Sequence, residues 1–123
     1  ATTVGGPVMA AIPLACAAIA VPEGEGLGGF FVRKERKAHG LQRWVEGAAE
    51  PGDRVLVVED TVTTGGSTIS AIERIRDEGF EIAGVLAVVD RLAGGGDRIA
   101  AEAGAPYETL TTIDDIYPDR PDK

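Results

Sequence analysis

Two hydrophobic patterns alternate along this chain: short, almost uniformly apolar runs, and longer stretches in which apolar residues recur every three or four positions. The short runs predict strands, and the clearest are Asp53–Val58 and Ile82–Val89. Because few polar residues interrupt them, they are typical of a parallel sheet that is covered on both faces. Shorter strands are predicted at Thr2–Val4, Gly29–Val32 and Tyr107–Leu110.

The clearest helix is predicted at Ser67–Glu78, where Ile69, Ile72 and Ile75 recur at a spacing of three and form an apolar stripe. Gly79 follows where a helix C′ residue belongs, and the aromatic residue after it can pack back onto the last turn. Three shorter helices are predicted: one at about Pro13–Ala20, one that Asp97 caps and that ends at Gly104, and a helical turn at Thr112–Ile116.

Strands that alternate with helices predict an α/β fold, and more specifically a doubly wound parallel sheet. Residues 1–123 are expected to form a single domain, since 123 residues that are 44% hydrophobic suffice for one modest core. The connections are predicted to be a glycine loop at Gly5–Pro7, a polar turn at Pro22–Gly28 and a long charged loop at Arg33–Gly47. In such sheets, ligands bind at the carboxyl ends of the strands.

Composition argues against several kinds of partner. The net charge of -8 and the sequence pI near 4.6 predict that the protein binds neither nucleic acid nor an anionic membrane. The apolar segment Val8–Val21 is shorter than the ~20 residues of a membrane span, and Pro13 interrupts it.

The single cysteine, Cys16, excludes an internal disulfide and is interpreted as a small buried hydrophobe. Without a disulfide framework or a secretion signal, a cytoplasmic location is predicted.

The most informative segment runs from Val55 to Thr68, where the strongest predicted strand leads into a loop and the strongest predicted helix. The strand ends in two adjacent carboxylates, Glu59 and Asp60, which can accept hydrogen bonds from ribose hydroxyls or face a metal. In the loop, glycines let the backbone point N–H groups at an anion, and the helix start adds unpaired N–H groups. The pattern indicates a ligand that carries both a phosphate and a sugar. The glycines and hydroxyl residues are Thr63, Thr64, Gly65, Gly66, Ser67 and Thr68.

A simpler explanation of this segment is a tight turn between strand and helix that a serine or threonine caps. That explanation accounts for one glycine and one hydroxyl, but not for two acids followed by a run of glycines and hydroxyls. A P-loop of the form Gly-x-x-x-x-Gly-Lys-Ser/Thr is absent from the sequence, so a nucleoside triphosphatase is not expected.

A second signal is the basic segment, Arg33–Arg43, which carries five Lys or Arg residues, one acid and the only histidine of the chain, His39. In an otherwise acidic protein, such a cluster indicates a polyanionic ligand, and one that bears pyrophosphate fits best. Arginine and lysine would neutralise charge that develops on a leaving group, and His39 would donate a proton or a hydrogen bond. A flexible loop can also close and exclude water. The alternatives are a solvated charged loop and a short nucleic-acid patch.

These segments carry a resemblance to known enzymes. Val55–Thr68 resembles the 5-phosphoribosyl-1-pyrophosphate (PRPP) motif of type I phosphoribosyltransferases. The basic segment resembles the mobile catalytic loop of the orotate phosphoribosyltransferase family, whose pattern is Arg-Lys-x-x-Lys-x-His-Gly. A third match is Val88-Val-Asp-Arg91, where the family places an arginine that binds the orotate carboxylate. The loop pattern is matched position by position by Arg33, Lys34, Lys37, His39 and Gly40.

The resemblance, which extends from Val4 to about Ile116, implies the type I phosphoribosyltransferase fold. It also implies transfer of a phosphoribosyl group from PRPP to orotate, giving orotidine 5′-monophosphate and pyrophosphate in pyrimidine biosynthesis. The catalytic residues it implies are Arg33, Lys34, Lys37, His39 and Asp60. The PRPP-binding residues it implies are Glu59, Asp60, Thr61, Val62, Thr63, Thr64, Gly65, Gly66, Ser67 and the same Arg33, Lys34, Lys37 and His39. Orotate would contact Thr63 and Arg91.

The resemblance further implies Mg²⁺ as cofactor, held mainly by PRPP and water without a direct protein ligand, and a homodimer in which the basic segment reaches the neighbour's site. One departure concerns the first glycine loop, Gly5–Ala11, which lacks the lysine of some family members. There, the backbone N–H groups of Gly5 and Gly6 are expected to contact pyrophosphate. Because the sequence enters a strand at once and lacks an initiator methionine, an N-terminal region is expected to be missing from it.

Two other functions remain open at this point. A phosphoribosyltransferase for another base would keep the PRPP motif but leave Arg91 without a role, unless Arg91 simply forms a surface pair with Asp90. A non-catalytic regulator that senses PRPP would also keep the motif, but it would not need a basic segment with a histidine. Dependence of base consumption on His39 separates an enzyme from such a regulator.

Overall fold

The computed structural model describes residues 1–35 and 43–121, which form a twisted sheet with helices on both faces. No helix in this part of the chain is both long and apolar enough to span a bilayer. The strands are β1 (Thr3–Pro7), β2 (Gly28–Val32), β3 (Val45–Gly47), β4 (Arg54–Val62), β5 (Glu81–Asp90) and β6 (Tyr107–Thr112). The helices are α1 (Ala11–Ala20), α2 (Gly66–Asp77), α3 (Gly95–Ala103) and α4 (Ile113–Ile116), with a 3-10 turn at Pro22–Gly24.

The strand order is β3-β2-β1-β4-β5-β6, and all neighbouring pairs are parallel except β2 and β3. From β1 the chain moves to β2 on one side and later to β4 on the other. The order therefore reverses between β1 and β4, and in sheets of this kind the crevice at such a reversal is where ligands bind. The predicted doubly wound parallel sheet is confirmed.

The antiparallel edge strand β3 corrects one prediction. Residues 33–47 were expected to be a loop throughout, but Val45–Gly47 pairs with Phe30–Val32. Three residues are too few to show a period of two, so nothing in the sequence separates this strand from the loop that precedes it.

The core lies mainly between the sheet and the pair α2 and α3, while α1 covers the other face. Side chains alternate along β4, so that Val55 and Val57 pack toward α2 and Val58 packs toward α1. In β5, Val85 and Ala87 are likewise buried, but Leu86 on the other face is only partly buried. Coverage of this strand on both faces, as its apolar sequence predicted, is therefore incomplete within the described residues.

The end of α2 confirms the prediction for Gly79. This residue has a φ of +91°, and its N–H donates to the carbonyl of Arg76 over 2.9 Å. The N–H of Phe80 donates to the carbonyl of Ile75 over 3.3 Å. These two bonds form a Schellman motif, which satisfies carbonyls that the helix end would otherwise leave unpaired.

The predicted glycine loop at residues 5–7 is wrong, because these residues belong to the central strand β1. A Cβ atom on Gly5 would lie 2.1 Å from the carbonyl oxygen of Phe30, and one on Gly6 would lie 2.1 Å from that of Val58. The two glycines are therefore required for close packing around β1, and the turn that follows the strand begins only at Val8.

Two predictions about helices also need correction. Cys16 is exposed, because α1 buries Ala11 and Ala15 while the next position lies about 100° around the helix. Asp97 does not cap α3: the N-cap is Gly94, with a φ of +91°, and no side-chain cap bond is formed. Asp97 instead lies in the first turn, where a negative charge interacts favourably with the helix dipole.

Candidate active site

The two acids that follow the apolar run of β4 lie within the strand and in different environments. β4 continues past its predicted end at Val58, since Thr61 pairs with Val89 and Val62 with Asp90. Successive side chains of a strand point to opposite faces. As a result, the Glu59 side chain is buried beneath α2, whereas Asp60 is exposed, and its Oδ1 accepts a 2.7 Å hydrogen bond from the N–H of Thr61.

Glu59 is held by two hydrogen bonds. Its Oε2 accepts one from the hydroxyl of Thr68 over 3.0 Å, and its Oε1 accepts one from the N–H of Asp60 over 3.3 Å. Burial raises the pKa of the Glu59 carboxyl to about 7, with a smaller rise from Asp60 and an opposing contribution from Thr68. The carboxyl therefore changes charge close to neutral pH.

A concavity of about 160 Å³ opens above Glu59, between the end of β4 and the start of α2. We call it the cradle. Gly65 has a φ of +88° and is the N-cap of α2, and the first intrahelical bond runs from the N–H of Ile69 to the carbonyl of Gly65. The preceding N–H groups of the first turn have no partner within the helix and are available to an anion. The cradle is lined by Glu59, Thr61, Val62, Thr63, Thr64, Gly65, Gly66, Ser67 and Thr68.

The start of α3 supports the cradle from behind. The N–H of Gly95 donates to the carbonyl of Thr63 over 3.2 Å, and the guanidinium of Arg98 donates to the carbonyl of Thr64 over 2.6 Å. A Cβ atom on Gly95 would lie 2.5 Å from the Thr63 oxygen and 2.8 Å from the Gly65 nitrogen. Only glycine allows the two segments to approach so closely.

Arg91 follows directly after β5, at the same edge of the sheet as the cradle. Its N–H donates to the carbonyl of Val62 over 2.9 Å, and its side chain is exposed. The carboxylate of Asp90 accepts from the N–H of Leu92 over 2.7 Å and from the hydroxyl of Tyr107 over 3.0 Å. Within residues 1–35 and 43–121, no ion pair joins Asp90 to Arg91, so the surface pair considered above is not formed there.

The start of the basic segment borders a second concavity, beside the turn that follows β1. Arg33 donates from Nε to the carbonyl of Glu35 over 3.2 Å, and its Nη1 lies 3.9 Å from Oε1 of Glu46. Lys34 is exposed and lines the concavity together with Val8 and Met9. The other predicted members of this segment, Lys37, His39 and Gly40, lie outside the described residues.

Three residues of the site were not singled out by sequence patterns: Gly95, Arg98 and Tyr107. A weak signal existed for the first two, since three consecutive glycines followed by Asp97 and Arg98 come shortly after the end of a predicted strand. The contact between Tyr107 and Asp90 joins residues 17 positions apart. No local pattern in the sequence reports such a contact.

The class of protein is shown by comparison with known families. A phosphoribosyl transferase domain model matches residues 2–104. The cradle that joins a parallel strand to a helix lies within this matched region. The chain belongs to the phosphoribosyltransferase family.

Proteins similar to this chain carry more specific names than the family. A curated protein from Streptomyces avermitilis, named orotate phosphoribosyltransferase, is 50% identical over 115 residues, covering 92% of this chain and 63% of that protein. The crystal structure of Mycobacterium tuberculosis orotate phosphoribosyltransferase in complex with Fe(III) dicitrate has a TM-score of 0.85 at 44% identity, covering 94% of this chain and 65% of the other. A structure of the Mycobacterium tuberculosis protein in complex with PRPP gives a TM-score of 0.80 at 39% identity and covers 94% and 64%. The chain thus spans less than two thirds of the length of these proteins.

Proposed function

We propose that this protein is an orotate phosphoribosyltransferase, which transfers the 5-phosphoribosyl group of PRPP to orotate. The observation that carries the proposal is the hydrogen bond of 2.9 Å from the N–H of Arg91 to the carbonyl of Val62. It joins the backbone of Arg91, whose guanidinium is suited to a carboxylate, to Val62, which lines a cradle suited to a phosphate. The names of the similar proteins, and the PRPP complex of one of them, support the same activity.

In this proposal the cradle binds the 5′-phosphate of PRPP. The N–H groups at the start of α2 and the hydroxyls of Thr63, Thr64 and Ser67 donate to the phosphate oxygens, and the helix dipole favours the negative charge. Asp60, exposed beside the cradle, accepts hydrogen bonds from the ribose hydroxyls. Its negative charge also stabilises the positive charge that develops on the ribose ring.

The reaction exchanges one bond at ribose C1 for another. The bond from C1 to the pyrophosphate oxygen breaks, and the electron pair leaves with pyrophosphate through an oxocarbenium-like state. A ring nitrogen of orotate forms the new bond to C1 and releases its proton. Arg33 and Lys34, with Lys37 and His39, neutralise the leaving pyrophosphate, and preorganised charge of this kind contributes strongly to catalysis.

Arg91 explains the choice of base. Its planar guanidinium can hold the carboxylate of orotate with two parallel hydrogen bonds, and Thr63 contacts the orotate ring from the neighbouring strand end. A base without a carboxylate would leave this exposed guanidinium without a partner. The site therefore favours orotate over other bases.

The protein groups fit a magnesium ion that the substrate carries. Within the described residues, no group of three or more His, Cys, Asp or Glu side chains could hold a metal. Asp60 is a single exposed carboxylate at the edge of the cradle and would contact the ion's hydration water. When bound, Mg²⁺ neutralises charge on the pyrophosphate.

We further propose that the protein acts as a homodimer whose basic segments cross between subunits. A mixing experiment tests this arrangement. One parent carries Lys37→Ala with His39→Ala, and the other carries Asp60→Asn, so that each is inactive alone. If the segment acts in the neighbour's site, mixed dimers regain part of the activity; no recovery despite verified subunit exchange would exclude the arrangement.

The proposed activity is tested by following orotate loss by ultraviolet absorbance in the presence of PRPP and Mg²⁺. PRPP-dependent loss is expected, and Arg91→Ala should raise the KM for orotate at least tenfold while leaving that for PRPP nearly unchanged. Binding of PRPP without consumption of orotate would refute the proposal. Consumption of another base would then identify a different phosphoribosyltransferase, and consumption of none would point to a PRPP sensor.

A further inference from the structure

One face of α2 holds the chain on both sides of residues 36–42. The two sides meet where the N–H of Arg33 donates to the carbonyl of Trp44 over 2.7 Å. Arg74 contacts both of these residues. Its Nη1 donates to the carbonyl of Arg33 over 3.4 Å, and its guanidinium carbon lies 3.7 Å from the centroid of the Trp44 ring, in a cation–π contact.

Glu78 holds the second side more tightly. Its Oε2 accepts hydrogen bonds from two consecutive N–H groups, of Trp44 over 2.6 Å and of Val45 over 3.1 Å. Arg74 and Glu78 are four residues apart and therefore lie on the same face of the helix. We call this pair the clamp.

The position of Glu78 is unfavourable for the helix alone. It is the C-cap of α2, where a negative charge opposes the helix dipole. The two N–H donors offset this cost, so the residue is explained by what it holds and not by the stability of the helix. A residue that opposes the local preference of its helix, as this acid does at the C-terminal end of α2, is typical of a position that serves function.

We propose that Arg74 and Glu78 are positioning residues for the transfer reaction, because they fix Arg33, at the start of the basic segment, and Trp44 and Val45, directly after it, relative to the cradle. The same helix carries the cradle at Gly66 and the clamp at Arg74, which are roughly 12 Å apart at 1.5 Å per residue. The clamp thereby sets where Arg33 and Lys34 stand with respect to the 5′-phosphate. The inference rests on the proposed function for the identity of the ligand.

A purely structural role makes a different prediction. If the clamp only stabilised α2, its loss would lower the affinity for every ligand that the cradle binds. If the clamp positions the basic segment, its loss weakens the binding of pyrophosphate. Binding of ribose 5-phosphate, which needs only the cradle and Asp60, is then unaffected. Binding of these two probes, measured separately by calorimetry with Mg²⁺ present, separates the two roles without reference to catalysis.

For Arg74→Gln we expect pyrophosphate affinity to fall about tenfold and ribose 5-phosphate affinity to stay within twofold. Glu78→Gln should lower pyrophosphate affinity about threefold, since a neutral acceptor is weaker than a carboxylate. Arg74→Lys should recover part of the loss, because an ammonium group can also lie over the indole. The matched controls are Arg54→Gln and Glu81→Gln, which remove the same charges from an exposed pair 3.7 Å apart and should change neither affinity.

Trp44 is the only tryptophan of the chain, so its fluorescence reports on the clamp directly. Arg74→Gln should shift its emission to longer wavelength while the far-ultraviolet circular dichroism and the Tm stay near those of the unsubstituted protein. If this variant does not fold, Arg74→Lys and Glu78→Gln provide the same comparison at smaller amplitude.

Unchanged pyrophosphate affinity in the variants, a parallel loss for both ligands, or an unsubstituted protein that does not bind pyrophosphate would each overturn the inference. Selective loss of pyrophosphate affinity in a protein that consumes no orotate would refute the proposed function while supporting the clamp. The two proposals can therefore fail independently.

Discussion

The hydroxyl of Thr68 donates a 3.0 Å hydrogen bond to Oε2 of Glu59, and both side chains are almost fully buried. The bond ties the first turn of α2 to β4 directly below the cradle. It also leaves an acid beneath the place where we propose that a phosphate binds. Burial disfavours the charged form of this acid, and the resulting pKa of about 7 for Glu59 reduces the repulsion between carboxylate and phosphate.

The raised pKa makes a prediction about stability. A carboxyl whose pKa is higher in the folded than in the unfolded protein stabilises the fold at low pH, and this contribution is lost as the pH rises through the folded value. For Glu59, with its pKa raised from 4.5 to about 7, the loss between about pH 5 and pH 8 amounts to up to about 3 kcal/mol. Urea unfolding of the unsubstituted protein and of Glu59→Gln over this range should show a smaller decline for the variant. Equal slopes would mean that Glu59 is ionised throughout, and Glu108→Gln, at an exposed position, serves as control.

Gly66 gives the sharpest test of the cradle. A Cβ atom there meets nothing within 4 Å, and its φ is not in the left-handed region, so the fold has no need of this glycine. Gly66→Ala should therefore keep the stability or raise it by about 0.5 to 1 kcal/mol, since alanine is the better helix former. The added methyl group would, however, project into open space at the cradle. We expect the KM for PRPP to rise at least tenfold while the Tm stays the same or rises slightly. Ser70→Ala on the same helix should leave the KM for PRPP unchanged.

Much of this site could be read from the sequence, because its parts are local. The run from Val55 through the hydroxyl residues to α2 is one strand, one turn and one helix start, and each has its own composition. What the sequence could not give was the orientation of the two acids, which depends on how far β4 continues. Its extension to Val62 depends on pairing with β5, a long-range contact, and that pairing separates a buried Glu59 from an exposed Asp60.

The failed predictions have similar causes. Gly5 and Gly6 were assigned to a loop because glycine usually marks turns, but here it marks the places where Phe30 and Val58 come close to β1. Cys16 was interpreted as buried because its neighbours are apolar, although α1 has an outward face that the described residues leave open. In both cases tertiary packing decided the outcome, and local composition did not report it.

Arg98 is expected to strengthen phosphate binding although it does not line the cradle. Its guanidinium holds the carbonyl of Thr64 over 2.6 Å and brings positive charge to a cavity whose lining residues include no lysine or arginine. Arg98→Ala should lower the affinity for ribose 5-phosphate about fivefold at low salt. The effect should be smaller at high salt, because the Arg98 side chain is exposed. Calorimetric titrations at two ionic strengths measure this. If the loss is the same at both, the arginine acts through loop geometry alone, and if there is no loss, the contact is irrelevant to binding.

The bond between Tyr107 and Asp90 should control the recognition of orotate. Asp90 accepts from the Tyr107 hydroxyl over 3.0 Å and from the N–H of Leu92 over 2.7 Å, and Leu92 has a φ of +60°. These contacts fix the backbone on both sides of Arg91. Tyr107→Phe leaves one carboxylate oxygen of Asp90 without this donor, so the turn that carries Arg91 is less tightly held.

We therefore expect Tyr107→Phe to raise the KM for orotate about threefold to tenfold while the KM for PRPP stays within twofold, with a loss of about 1 kcal/mol in stability. Steady-state kinetics with each substrate varied in turn make the measurement, and Tyr117→Phe, which removes an exposed phenol, is the matched control. A rise in both KM values would indicate damage to the whole edge of the sheet. If neither KM value changes, Asp90 holds the turn without the Tyr107 hydroxyl. The tyrosine then serves only to pack β6 against α3 through its ring, which lies 2.8 Å from the position that a Cβ atom on Gly96 would take.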